Sequence, residues 1–148
     1  MNTIRNDGSH SPATAGKHTL HILVVDDNDD CRHSITLLLR GLGHEVQTAP
    51  DGQTALRMAQ AEPPDVVLLD IDMPGMNGYE LARRLRAVAH RMRPLLVAVT
   101  GCASEQDRVL SEEAGIDLHL AKPVKLDVLC NMLARFHRVL DPGHAEVL

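Results

Sequence analysis

Three features of the chain predict a single α/β domain built on a doubly wound parallel sheet. Short apolar runs such as Val66-Val67-Leu68-Leu69 are unbroken rather than alternating, the pattern of strands buried on both faces. Longer segments with apolar residues at a 3.6-residue period separate them. Five such strand–helix alternations follow one another with no internal repeat and no interdomain linker. At 148 residues, one domain can bury most of its apolar surface without disulfides or a structural metal.

In chain order, Met1 to His18 is polar and aperiodic and reads as a disordered tail, residues 1–18. The first strand, His21 to Val25, ends in Asp26-Asp27. Asp29 or Asp30 caps the next helix, whose apolar face is Cys31, Ile35, Leu38, Leu39 and Leu42, and Gly41 and Gly43 stop it. His44 to Ala49 alternates more and belongs at a sheet edge. Pro50-Asp51-Gly52 turns into a helix carrying Ala55, Leu56 and Ala59, which Pro63-Pro64 ends. The run from Val66 delivers Asp70 to a strand end and turns at once through Pro74, Gly75 and Gly78. Tyr79 to Ala89 is a helix burying Leu81, Leu85 and Val88, with Arg83, Arg84 and Arg86 on a solvated face. Leu95 to Val99 is a strand ending in Thr100-Gly101. Ser104 caps a more polar helix that runs to Ala114 and stops at Gly115. Leu118 to Ala121 is the fifth strand, followed by Lys122-Pro123. The last helix, Lys125 to Val139, buries Leu126, Leu129, Leu133 and Phe136, and Asp141-Pro142-Gly143 ends it, leaving a short tail, 141–148.

Composition excludes several classes. Apolar residues make up 44% of the chain, yet it has one Tyr, one Phe and no Trp, so the core must be aliphatic. A formal charge of -5 and a pI near 5.9 argue against nucleic acid as a partner. Cys31, Cys102 and Cys130 form no CxxC and read as buried small hydrophobes in a reducing cytosol, which places the protein in the cytoplasm. No apolar run approaches the ~20 residues of a membrane span, and no hydrophobic signal region opens the chain.

Right-handed crossovers bring the carboxyl ends of parallel strands to one edge of the sheet, where open α/β sheets bind ligands. Asp26-Asp27, Asp70, Thr100 and Lys122 stand at those ends. Three carboxylates brought together repel one another and raise each other's pKa unless a cation joins them. Oxygen ligands suit a hard cation, Mg²⁺ or Mn²⁺, that bridges carboxylate and phosphate oxygens. Lys122 and the Thr100 hydroxyl supply a charge and a donor for an anion. A nucleophilic carboxylate, a divalent metal, a lysine and a hydroxyl together can take up a phosphoryl group as aspartyl phosphate. Asp26-Asn28-Asp30 imitates the start of an EF-hand loop, but Cys31 stands where that loop needs Gly and Leu37 where it needs Glu.

These residues carry a resemblance to the receiver domains of two-component response regulators. It covers Leu20 to Leu140 and rests on VVDD (Val24 to Asp27), LLDIDMPGMNG (Leu68 to Gly78), AVTG (Ala98 to Gly101) and AKPV (Ala121 to Val124), in order and at the strand ends. The resemblance implies a receiver domain over residues 19–140 with a flavodoxin-like, five-stranded sheet of order 2-1-3-4-5 and five helices. It implies that Asp70 accepts a phosphoryl group from a histidine kinase or a histidine phosphotransfer protein. Asp26, Asp27 and Asp70 then hold Mg²⁺, with the backbone carbonyl of Asp72 completing the protein ligands. Thr100 and Lys122 contact phosphoryl oxygens, and the Lys122–Pro123 peptide is expected to be cis.

One position departs from the family pattern. The aromatic switch residue three positions before the lysine is His119 here, whose imidazole can make switching depend on pH. Asp72 and Cys102 sit where family members tune phosphoryl lifetime. Asp70-Ile71-Asp72 also imitates the D-x-D nucleophile of haloacid dehalogenase-type phosphatases, but Met73-Pro74 follows and the acidic pair precedes the nucleophile. The expected product is a phosphoacceptor with at most slow autodephosphorylation, not an enzyme. The start at Met1 and the short tails favour a stand-alone protein over a receiver fragment of a hybrid kinase. Its effect would pass through protein contact, through phosphorelay to a histidine phosphotransfer protein or by its acting as a phosphate sink, and the last-strand and last-helix face is the expected surface for a partner or a homodimer.

Overall fold

Each of the five apolar runs forms a strand. A computed structural model describes residues 19–88, 93–101 and 104–140, the last four by backbone alone. Both expected tails, Ala89 and Cys102 lie outside the described residues. The elements alternate along the chain as β1 (His21–Val25), α1 (Asp29–Gly41), β2 (Glu45–Ala49), α2 (Gly52–Ala61), β3 (Val66–Asp70), α3 (Gly78–Val88), β4 (Leu95–Thr100), α4 (Glu105–Ala114), β5 (Leu118–Ala121) and α5 (Leu126–Leu140). All strand pairs are parallel, in the order β2-β1-β3-β4-β5. This is the doubly wound, flavodoxin-like order.

The two-residue period of the strands divides the core between the faces. Leu23, Val25, Val67, Leu69, Leu96 and Ala98 point to one side, where Ala55 and Ala59 of α2, Leu81 and Leu85 of α3 and Ala114 of α4 cover them. Ile22, Val24, Val66, Leu68, Val97 and Val99 point to the other, against Ile35 and Leu39 of α1 and Leu129 and Leu133 of α5. β3 is buried at all five positions, as a strand between two helical layers must be. β2 lies at an edge, as its alternation predicts.

Four local expectations need correction. The cap of α1 is Asn28, whose side chain accepts from the Cys31 N–H; Asp29 and Asp30 occupy the first turn, where they face the positive end of the helix dipole. Leu126, the first residue of α5, is exposed, and Met132 packs in the core with Leu129 and Leu133, at the three- and four-residue spacing of one helix face. Cys31 and Cys130 are free and half-buried rather than buried. Arg86 does not lie on a solvated face. Its guanidinium donates to Gly115 O at 3.0 and 2.8 Å, to Pro94 O at 2.7 Å and to Asp117 Oδ2 at 2.6 Å, clamping the ends of three segments. Asp117 in turn accepts from the Leu96 N–H, so the clamp fixes the start of β4.

Removing this fork strands two carbonyls and a carboxylate that pack against it. Arg86→Ala is expected to cost about 2–3 kcal/mol in urea unfolding. Arg83→Ala, on the exposed side of the same helix, should change stability by less than about 0.5 kcal/mol. Equal losses in the two variants would refute the clamp.

Candidate functional site

The sheet order reverses between β1 and β3, which opens a crevice at their carboxyl ends. Val25 pairs with Leu69 in register, so Asp26 and Asp70 leave the sheet side by side. Asp70 also pairs with Val99, and Thr100 with Ala121, which brings the Thr100 and Lys122 ends to the same edge. The Lys122 N–H donates to Thr100 O at 2.9 Å and continues that ladder by one rung. The Lys122–Pro123 peptide is cis.

Side chains converge there. One oxygen from each of Asp26, Asp27 and Asp70 lies within 4.8 Å of the others. Asp26 and Asp70 are buried and Asp27 is exposed, so the cluster has one wet side. The Lys122 ammonium sits between the buried pair, 3.2 Å from Asp26 Oδ2 and 3.3 Å from Asp70 Oδ1. Thr100 is buried beside them, whereas a side chain at Gly101 would meet nothing within 4 Å. Asp72 is exposed, and its backbone N–H is near enough to the Asp70 carboxylate to favour its charged form slightly.

The turn after β3 depends on one glycine. A Cβ at Gly78 would stand 2.5 Å from Asp70 O and 2.8 Å from Ile71 Cα, so any side chain there pushes the strand end away. The Gly78 N–H also donates to Ile71 O at 2.9 Å, which closes the loop back onto the strand.

Electrostatics follow from this crowding. Burial, and then the neighbouring charge of Asp26, raise the Asp70 carboxyl above its ordinary range, while Lys122 and the Asp72 N–H partly oppose them. For Lys122, burial alone lowers the pKa, but the hydrogen bond and charge of Asp26 and the charge of Asp70 outweigh it, so the ammonium is held more firmly. Three carboxylates against one ammonium leave negative charge uncompensated. That all-oxygen donor set fits a hard divalent cation.

His119 faces away from this cluster toward α4. Its Nε2 lies 2.7 Å from the Ser111 hydroxyl, and Ser111 is buried. Tyr79 at the start of α3 donates to Asp107 Oδ1 at 3.2 Å and also interacts with Ser111. Sequence reasoning missed Ser111, Tyr79 and Asp107, since nothing in their spacing singles them out. It missed Arg32 as well, whose guanidinium donates to Asp26 O at 2.6 Å. An Arg one turn into a helix that follows an acidic loop was its only visible signal.

The response regulator receiver domain model matches residues 22–134, and the chain belongs to that family. Protein PilH of Pseudomonas aeruginosa is 37% identical over 108 residues, covering 73% of this chain and 89% of that protein. The CAI-1 autoinducer sensor kinase/phosphatase CqsS of Vibrio cholerae serotype O1 is 35% identical over 124 residues, which are 83% of this chain and 18% of that protein. Across the sensor kinases it matches, the chain spans 12 to 18% of their length. Among solved structures, the receiver domain of sensor histidine kinase PA1611 from Pseudomonas aeruginosa PAO1, with a magnesium ion coordinated in its active site cleft, has a TM-score of 0.73 and 34% identity, covering 80% of this chain and 98% of that one. The chain is therefore a receiver domain of two-component signalling. The phosphatase resemblance of Asp70-Ile71-Asp72 gains no support from these matches. No described helix is long and apolar enough to cross a membrane.

Since burial and Asp26 disfavour the charged form of Asp70, the folded protein holds this charge at a cost at neutral pH. Asp70→Asn keeps the shape and removes the charge, leaving Lys122 paired with Asp26. Its melting temperature without divalent metal should rise by roughly 3–5 °C, the worth of about 1 kcal/mol in a domain of this size. An unchanged or lower value would contradict the strained carboxylate.

Proposed function

We propose that the domain is a phosphoacceptor: Asp70 takes a phosphoryl group from a phosphohistidine on a kinase or histidine phosphotransfer protein, with Mg²⁺ or Mn²⁺ required. The observation that carries this reading is the Lys122 ammonium lying between two buried carboxylates in a three-carboxylate cluster. The family, and the magnesium ion in the PA1611 receiver, support it. An Asp70 oxygen attacks phosphorus, the P–N bond breaks, and the departing imidazole keeps the electron pair and takes a proton. Asp26, Asp27 and Asp70 would hold the cation, with the Asp72 carbonyl as a further oxygen. When bound, the cation supplies charge neutralisation across the incoming phosphoryl oxygens. Lys122 turns its ammonium from the carboxylate to a phosphoryl oxygen, and the Thr100 hydroxyl donates to another.

In this reading the readout passes through Thr100 and His119. Thr100 ends β4 and His119 lies on the neighbouring strand, so a shift of the Thr100 hydroxyl toward phosphate reaches the α4–β5 surface across one strand pair. Partners or a second copy bound to the β5 and α5 face would sense it.

Incubating the full chain with acetyl phosphate and MgCl₂ should add one phosphoryl group, about 80 Da by intact mass. EDTA or Asp70→Ala should abolish the adduct. Labelling that persists in Asp70→Ala would end this assignment.

A pH effect follows from His119. Burial, and then Arg108, push its imidazole below the ordinary value of 6.5, with Asp107 opposing. The folded state thus prefers neutral His119, and as pH falls below 6.5 the unfolded chain takes up a proton that the folded one resists. Stability is lost on that descent. Between about pH 7.5 and 5.5 the wild-type melting temperature should fall further than that of His119→Phe. Parallel profiles would remove His119 as the source.

A further inference from the structure

The turn between β1 and α1 joins the two adjacent carboxylates, and every polar handle of Asp26 in that turn is taken. Its N–H donates to Ala49 O at 3.2 Å, its Oδ1 accepts from the Asn28 N–H at 2.9 Å, and its Oδ2 faces Lys122. The remaining handle is the carbonyl, and it accepts from Arg32 Nη1 at 2.6 Å. That carbonyl belongs to the peptide connecting Asp26 to Asp27. Fixing it fixes the direction in which Asp27 leaves the strand. Asp27 is exposed, so its place beside Asp26 and Asp70 comes from the backbone rather than from packing. The second arm of the guanidinium pairs with Asp29, and only 19% of the Arg32 side chain is exposed.

We infer that Arg32 is a positioning residue for the divalent-metal site, holding the Asp26–Asp27 peptide so that both carboxylates face Asp70. The inference rests on the proposed metal site. Two physical effects of Arg32 oppose each other. Its charge repels an incoming cation, while its fork orders the ligands. The Asp29 carboxylate neutralises the charge locally, so ordering wins. Lysine cannot replace the fork, because one ammonium lacks the planar pair of donors that spans a carbonyl and a carboxylate.

The test is a ¹H–¹⁵N NMR titration of the full chain with MgCl₂, read on the amides of residues 26–28 and 70–72, alongside thermal melts with and without MgCl₂. Arg32→Met and Arg32→Lys should each weaken Mg²⁺ binding roughly tenfold, as loss of an outer-shell partner does. Mg²⁺ should correspondingly raise their melting temperatures less than it raises that of wild type. Asp29→Asn keeps the Asp26 carbonyl contact and an oxygen for the second arm of the fork but uncovers the guanidinium charge, so it should weaken Mg²⁺ binding, by less than Arg32→Met does. Saturable wild-type binding with unchanged or tighter binding in Arg32→Met overturns the inference and leaves the metal site standing. Arg32 variants that melt lower but gain the same increment from Mg²⁺ also overturn it, since their defect is then structural alone. Absence of saturable binding in wild type overturns the metal site and the inference together.

Discussion

The rest of the molecule depends on one ion triad, the Lys122 ammonium between the carboxylates of Asp26 and Asp70. Two like charges in a nearly dry crevice repel, and each has lost most of its hydration; only a cation at hydrogen-bond distance makes the arrangement tenable. A hydrophobic pair at these positions would fold more easily. The strands explain how the cost is carried. β1, β3 and β4 are buried almost throughout, so an aliphatic core on both faces fixes the strand ends that carry Asp26, Asp70 and the Thr100 hydroxyl. The fold supplies rigidity, and the site spends part of it on an unfavourable charge.

The parallel register decides which charges meet. With Val25 opposite Leu69 and Thr100 opposite Ala121, a one-residue slip would turn each strand's side chains to the other face and separate the carboxylates from the lysine. The loops contribute less freedom than their exposure implies. Gly78 sits against the Asp70 carbonyl, Arg32 holds the Asp26 carbonyl, and the Gly78 N–H holds the Ile71 carbonyl. Each restrains a loop at the point where it leaves the sheet.

Much of this was legible in the sequence. β1 and β5 run over the residues their apolar spans mark, and β3 over its span together with Asp70; for β1 and β3, which have a strand on each side, the reason is that a strand buried on both faces must be apolar to its last core residue and then stop. The charged strand ends are visible because those spans end in Asp26, Asp70 and Lys122. What stayed hidden depends on distant backbone. Arg86 looks solvated in a run of three arginines, since its acceptors at Pro94, Gly115 and Asp117 are loop groups up to 31 residues away. The α1 cap fell to Asn28 rather than to a neighbouring aspartate, a choice set by where β1 releases the chain. Ser111 is a polar residue buried in a helix, and only the fold shows that its partner is His119.

On the proposed reading, the same triad explains why modification at Asp70 must be felt elsewhere. A phosphoryl group replaces one carboxylate charge with nearly two and adds three acceptor oxygens. The Lys122 ammonium cannot then stay equally shared between Asp26 and Asp70, and a hydroxyl donor is drawn in from Thr100. Thr100 ends β4 and Lys122 follows β5 directly, and the Lys122 N–H is bonded to the Thr100 carbonyl, so neither moves without the other strand. One turn of strand away, His119 is anchored to Ser111 of α4, and Asp107 of α4 is anchored to Tyr79 of α3. A surface can report phosphorylation only if it has a second arrangement that the phosphoryl group favours. Among the described residues, the polar links joining β5, α4 and α3 are groups that could supply one. The aliphatic packing beneath them has no alternative partners, whereas hydroxyl, imidazole and carboxylate groups can exchange hydrogen bonds at little cost.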